Sequence, residues 1–118
     1  MNSLKIPGLK KDLVVTADEI IRVEAMSNYS RIYFADGNKL VTAKVLQWFE
    51  NLLPAGMFVR VHRSHLINKN FVEASEGSYS KTLLFLNGER IPVSRRNRKA
   101  MIECINLKLV LGGTDYLG

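Results

Sequence analysis

Apolar positions along this chain recur mostly every second residue, the spacing of a strand. In two places they recur every third or fourth, the spacing of a helix. Residues 4–8 read as a short extended piece ending at the Pro7-Gly8 turn. Residues 13–16 make a second strand, and Thr16 or Asp18 caps a brief helical turn over 17–19. Residues 20–26 follow as a strand, with Ile21, Val23 and Ala25 on one face. Arg22 and Glu24 point the other way. Ile20 and Met26 join them there, so that face is not purely polar. Ser27-Asn28-Tyr29-Ser30 interrupts with turn-forming residues. Residues 31–35 resume the strand with Ile32 and Phe34 inward, Asp36-Gly37 marks a hairpin, and residues 39–42 return.

Then the period changes. Val45, Leu46, Phe49, Leu52 and Leu53 share one helical stripe, with Thr42 as the expected N-cap and Pro54 and Gly56 as the stop. Trp48 lies beside the stripe and is assigned to the core. Residues 71–75 and 81–86 are strands separated by 76–80, and Asn87-Gly88 turns the second into a third strand over 89–93. Ser94 caps a second helix running to about residue 106, striped by Met101, Cys104 and Ile105. Residues 107–111 are a last strand and 112–118 a tail. With no repeat and no linker, residues 1–118 read as a single domain. Its class is mainly β with two short-to-medium helices, α+β by count.

Composition narrows the partners. The chain has 118 residues, a net charge of +6 and a sequence pI near 9.7, which points to an anionic partner such as nucleic acid, phosphate or a membrane surface. The single cysteine, Cys104, makes no internal disulfide and lies among apolar neighbours, so it reads as a buried hydrophobe. No apolar run is long enough to cross a bilayer, and the N-terminus lacks a signal-peptide core. A cytoplasmic protein is the default expectation.

The cations are not spread evenly. Phe58-Val-Arg-Val-His-Arg-Ser-His-Leu-Ile-Asn-Lys-Asn70 holds both histidines, His62 and His65, beside Arg60, Arg63 and Lys69. No acid falls between Glu50 and Glu73. Core anchors alternate with cationic donors, as in a loop pinned at some positions and open at others. A second cluster gathers Arg90, Arg95, Arg96, Arg98 and Lys99. The start of a helix carries a partial positive charge and favours Asp or Glu. Cations there are mildly destabilising until an anion arrives, and a helix start also suits a phosphate. The competing reading of either run is a solvated basic face.

Four stretches together resemble the LytTR DNA-binding domain of bacterial response regulators in the LytR/AlgR family. They are Ile21-Arg-Val-Glu-Ala-Met-Ser-Asn-Tyr29, Phe58-Val-Arg-Val-His-Arg-Ser-His-Leu-Ile-Asn68, Asn87-Gly to Ile91-Pro-Val93, and Ser94-Arg-Arg-Asn-Arg-Lys99. They stand in the family's order and spacing, over roughly residues 13–105. The resemblance implies an elongated set of small antiparallel sheets with short helices. It implies sequence-specific binding of double-stranded DNA by loop side chains inserted in successive major grooves, in a transcriptional regulator of a two-component system. The three loops match residues 28–31, 62–63 and 95–96. By position, Ser30 or Arg31, Arg63 and Arg96 fall to base edges. Asn28, Tyr29, Arg60, His62, Arg95, Arg98 and Lys99 fall to phosphates or to bracing the loops. A second copy on tandem half-sites is a possible partner. Many family members carry a phosphorylated receiver domain, for which this chain has no length.

Three other readings compete. His62 and His65 at a three-residue spacing resemble half of a metal site. Zinc needs three or four ligands, so neither metal nor any other cofactor is expected. Two histidines also suit a metal-independent nuclease, if both imidazoles face one substrate with separated pKa values; the favoured assignment is that His65 packs or braces the loop while His62 donates to a phosphate. A basic membrane-surface or protein-interaction module would need a basic amphipathic helix, whereas the charge after Ser94 gathers at one end. A DNA-binding protein, not an enzyme, with no membrane or small-molecule partner, is the expectation.

Overall fold

The computed structural model describes residues 3–8, 10–78 and 81–94. A hairpin comes first, β1 (Ser3–Pro7) against β2 (Asp12–Thr16), with Ile6 and Val15 facing inward. A 3-10 turn, Ala17–Glu19, follows. Thr16 caps it, with its N–H and hydroxyl both donating to Glu19 Oε1, at 2.8 and 2.9 Å. A five-stranded antiparallel sheet then forms from β3 (Ile20–Met26), β4 (Tyr29–Phe34), β5 (Lys39–Thr42), β6 (Phe58–His62) and β7 (His65–Asn68). Its spatial order is β5-β4-β3-β7-β6, so the long excursion from β5 to β6 sets the second hairpin beside β3 instead of beside β5. That excursion holds the helix α1 (Leu46–Leu52). A 3-10 turn at Lys69–Phe71 leads into a second sheet, β8 (Val72–Ser78), β9 (Lys81–Leu86) and β10 (Glu89–Val93).

Both faces of the five-stranded sheet are covered. On one, α1 and the β1–β2 hairpin pack Ile6, Val15, Leu46, Phe49 and Leu53 against Val23, Ile32, Phe34 and Leu66. On the other, Val72, Leu86, Ile91 and Val93 of the second sheet meet Ile21, Val61 and Ile67. The result is a row of small layers measuring 47 × 30 × 23 Å, mainly β and elongated as expected.

Several local expectations are corrected. Ile21 does not share a face with Val23 and Ala25. A register slip between Ile20 and Arg22 turns Ile20 into the first core and Ile21 into the second. Arg22 is not on an outer face but 5% exposed, because the second sheet lies over it. Tyr29 and Ser30 are in β4, so the expected four-residue turn shrinks to Ser27-Asn28, with Met26 opposite Tyr29 and Ser27 at a φ of 58°. The cationic stretch starting at Phe58 is a hairpin of two strands closed by Arg63-Ser64, not a loop. Thr42 does not cap α1. It is buried in β5, and Val45 takes the N-cap position, itself 54% exposed instead of in the stripe. Both glycine turns stand. Gly37 adopts a φ of 94°, and Asn87-Gly88, at 49° and 86°, closes β9 on β10 with the left-handed pair that a two-residue hairpin requires. The helix after Ser94, the strand over 107–111 and the tail lie outside the described residues.

Candidate nucleic-acid interface

Strand order brings the first two predicted stretches to one end of the sheet. The C-terminal end of β3 and the N-terminal end of β7 run side by side, with Glu24 opposite His65. Beyond that pair, the Ala25 N–H donates to the Ser64 carbonyl at 2.8 Å. The Ser27-Asn28 turn and the Arg63-Ser64 turn therefore neighbour each other. The third stretch starts there too, since the Ser94 N–H donates to the Val61 carbonyl at 2.7 Å. Arg95, Arg96, Arg98 and Lys99 lie outside the described residues, and the chain reaches their threshold beside the end of β6.

At the first turn, Asn28 is exposed and Tyr29 is 50% exposed. Ser30 is fully buried, and its hydroxyl donates to the Lys44 carbonyl at 2.7 Å. That places Ser30 as a brace under the turn and not at a base edge. Its cross-strand partner Thr42, also buried, accepts the Lys44 N–H at 3.3 Å. Together they hold residues 43–45 at the same end, where Lys44 adds an exposed cation that the sequence reading missed. Arg31 is half-buried, on the sheet face that carries Glu24 and His65.

The second turn is held by a guanidinium. Arg60 Nε donates to the His62 carbonyl at 3.0 Å, Nη2 to the Arg63 carbonyl at 2.6 Å, and Nη1 to Glu50 Oε1 at 2.9 Å. All three of its nitrogens are engaged, so Arg60 braces the turn while Arg63, exposed, projects from it. Glu50, on α1, is a second supporting residue that the sequence reading did not find, since it lies ten residues away on another element. His62 Nδ1 accepts the Ser64 N–H at 3.1 Å. That bond assigns the neutral ring's proton to Nε2, so the half-buried imidazole has a donor to offer.

Beneath the turns lies a polar cluster. His62 and His65 stack at an angle, ring centroids 5.3 Å apart. His65 is 8% exposed and its Nδ1 has no hydrogen-bond partner. Burial pushes its imidazole down to about 4, with Glu24 pulling upward and Arg22 and His62 adding to the fall. Burial alone would raise the Glu24 carboxyl. The Tyr33 hydroxyl, Arg22 and His65 more than offset that, and its net direction is down. The Arg22 guanidinium carbon lies over the Tyr33 ring, 3.6 Å from its centroid. Among the described residues, no three His, Cys, Asp or Glu side chains gather as a metal site would require, and no helix is long and apolar enough to cross a membrane.

Comparisons with known proteins bear on the family and the fold. A family profile described as the LytTr DNA-binding domain matches residues 10–106. The sensory transduction protein LytT of Enterococcus faecalis is 27% identical over 107 residues, which is 89% of this chain and 44% of that protein. The sensory transduction protein LytR of Streptococcus agalactiae is 33% identical over 66 residues, 54% of this chain and 27% of that protein. The chain thus spans less than half the length of these relatives. Among solved structures, a LytTr DNA-binding domain from Bacillus cereus superposes with a TM-score of 0.76 at 25% identity, over 89% of this chain and 97% of that one. With a profile match across most of its length and a shared arrangement of small sheets, this chain belongs to the LytTr DNA-binding domain family.

Proposed function

We propose that residues 1–118 act as one DNA-binding domain of a bacterial transcription regulator, gripping double-stranded DNA with three neighbouring segments. The observation that carries this reading is the pair of backbone bonds, Ala25 to Ser64 and Ser94 to Val61, that sets the first two turns side by side and brings the chain at Ser94 to the same end of the sheet. Arg31 and Arg63 are the base readers among the described residues, and Arg96 is the third by its place in the sequence. Asn28, Tyr29 and the Nε2 of His62 meet phosphates, with Lys44 added. Arg60 and Ser30 brace. Arg95, Arg98 and Lys99 keep the backbone role that the resemblance implies. Two copies on tandem half-sites belong to the same proposal.

The nuclease reading is disfavoured by His65. An acid–base pair needs both imidazoles at the substrate, and this one is buried and neutral at physiological pH. The test is selection of bound sequences from a random duplex pool at two salt concentrations. An enriched motif in two parts is expected if two copies bind in tandem, and no enrichment overturns sequence-specific binding. On the recovered duplex, Arg63→Ala is expected to cost about 1–3 kcal/mol and to relax the preference at one base pair. An equal loss on random duplex would move Arg63 from a base to a phosphate.

A further inference from the structure

An acid sits under this basic end, and its tightest bond is not to a cation. Glu24 Oε1 accepts the Tyr33 hydroxyl at 2.8 Å, whereas Arg22 Nη1 stands back at 3.4 Å. A carboxylate kept only to neutralise buried Arg22 would take the two-pronged contact that a guanidinium offers. A negative charge here also weakens attraction for phosphates. Its placement is explained by what the Tyr33 hydroxyl does next. That oxygen accepts Arg31 Nη1 at 3.4 Å. Among the described residues this is the one side-chain hydrogen bond Arg31 makes, so the remaining donors of its guanidinium have no partner among them. The Tyr33 ring cannot wander, with the Arg22 guanidinium lying on it at 3.6 Å.

We propose that Glu24 and Tyr33 form a positioning pair that presets the Arg31 guanidinium for DNA, so that two residues touching no base set how sharply one base pair is read. The proposal rests on Arg31 being a base reader. Glu24 and Arg31 are cross-strand partners, and Tyr33 follows Arg31 on the same face of β4. Donation from the hydroxyl to a carboxylate makes its oxygen a better acceptor, and so strengthens its hold on Arg31. Fixing one corner of a long side chain before binding removes part of the ordering cost from the binding step.

The experiment measures binding of the selected duplex and of a random duplex for Arg31→Ala, Tyr33→Phe and their double variant, with thermal melts as the check on folding. Tyr33→Phe keeps the ring under Arg22 and deletes only the hydroxyl. It is expected to lower affinity for the selected duplex about three- to tenfold, leave random-duplex affinity and salt dependence unchanged, and cost nothing further when Arg31 is already Ala. Glu24→Ala is expected to bind random duplex more tightly while its preference for the selected duplex falls. Glu24→Gln, which keeps an oxygen for the hydroxyl, recovers most of that preference. A Tyr33→Phe loss equal on both duplexes, or undiminished in the Arg31→Ala background, overturns the positioning role. If Arg31→Ala relaxes one base pair but Tyr33→Phe changes nothing, positioning alone falls. If Arg31→Ala weakens both duplexes alike, the base-reading role falls, and positioning with it.

Discussion

His65 stands opposite Glu24 across the β7–β3 pair, close enough for attraction to its carboxylate, yet burial keeps it neutral. In the unfolded chain the imidazole takes up its proton near 6.5, in the fold not until about 4. Between those values the unfolded state binds more protons, so stability rises with pH across that window. It is fully present above about 6.5 and is lost as pH falls toward about 4. Glu24, also shifted down, adds a loss of the same sign below its usual 4.5. The urea midpoint is therefore expected to drop steadily between pH 6.5 and 4, with a shallower profile in His65→Gln. A flat profile in the unaltered protein would contradict the burial argument. The expectation from sequence that His65 packs or braces the loop agrees with its burial, but the size of its downward shift was not legible, because it depends on which groups the fold brings around that ring. Ser30 carries the same lesson. Its place in the turn pattern pointed to DNA, while its hydroxyl is committed to the Lys44 carbonyl.

At the scale of elements, helix α1 was readable from its stripe, and Leu46, Phe49 and Leu53 are buried as that stripe requires. Phe49 is fully buried, its ring edge-on to Trp48 with centroids 5.0 Å apart. Phe49→Ala is expected to cost about 3–5 kcal/mol of unfolding free energy in denaturant titration, the usual range for emptying an aromatic site. A cost under about 1 kcal/mol would mean that the helix does not seal the first core. Strand β3 shows where such reading stops. Strict alternation assigns Ile21, Val23 and Ala25 to one face, but the slip beside Ile20 breaks the period. The signal present in the sequence was that apolar residues occupy both alternating sets of β3, as expected of a strand covered on two sides. Polar Arg22 survives burial because Tyr33 and Glu24 meet its guanidinium there.

For the whole molecule, the net charge of +6 acts at long range and most of it is screened by salt. Binding of any duplex is expected to weaken steeply as salt rises. Lys99→Ala or Arg98→Ala should lower the log–log slope by roughly one unit on specific and random DNA alike, as removal of one phosphate contact does. An unchanged slope would take that residue out of the interface. Arg60, whose fork is spent on two turn carbonyls and Glu50, has no such role to lose.

The residues alone were enough for the strand period, the helix stripe, the turns at Asp36-Gly37 and Asn87-Gly88 and the family, because each is written in neighbours a few positions apart. Tertiary structure decided which face of β3 is covered, how deeply His65 is buried, and whether the turns at residues 27–28 and 63–64 and the chain at Ser94 meet. Those outcomes depend on bonds such as Ala25 to Ser64 and Ser94 to Val61. They join residues more than thirty positions apart, and follow from the order β5-β4-β3-β7-β6, which no local pattern encodes.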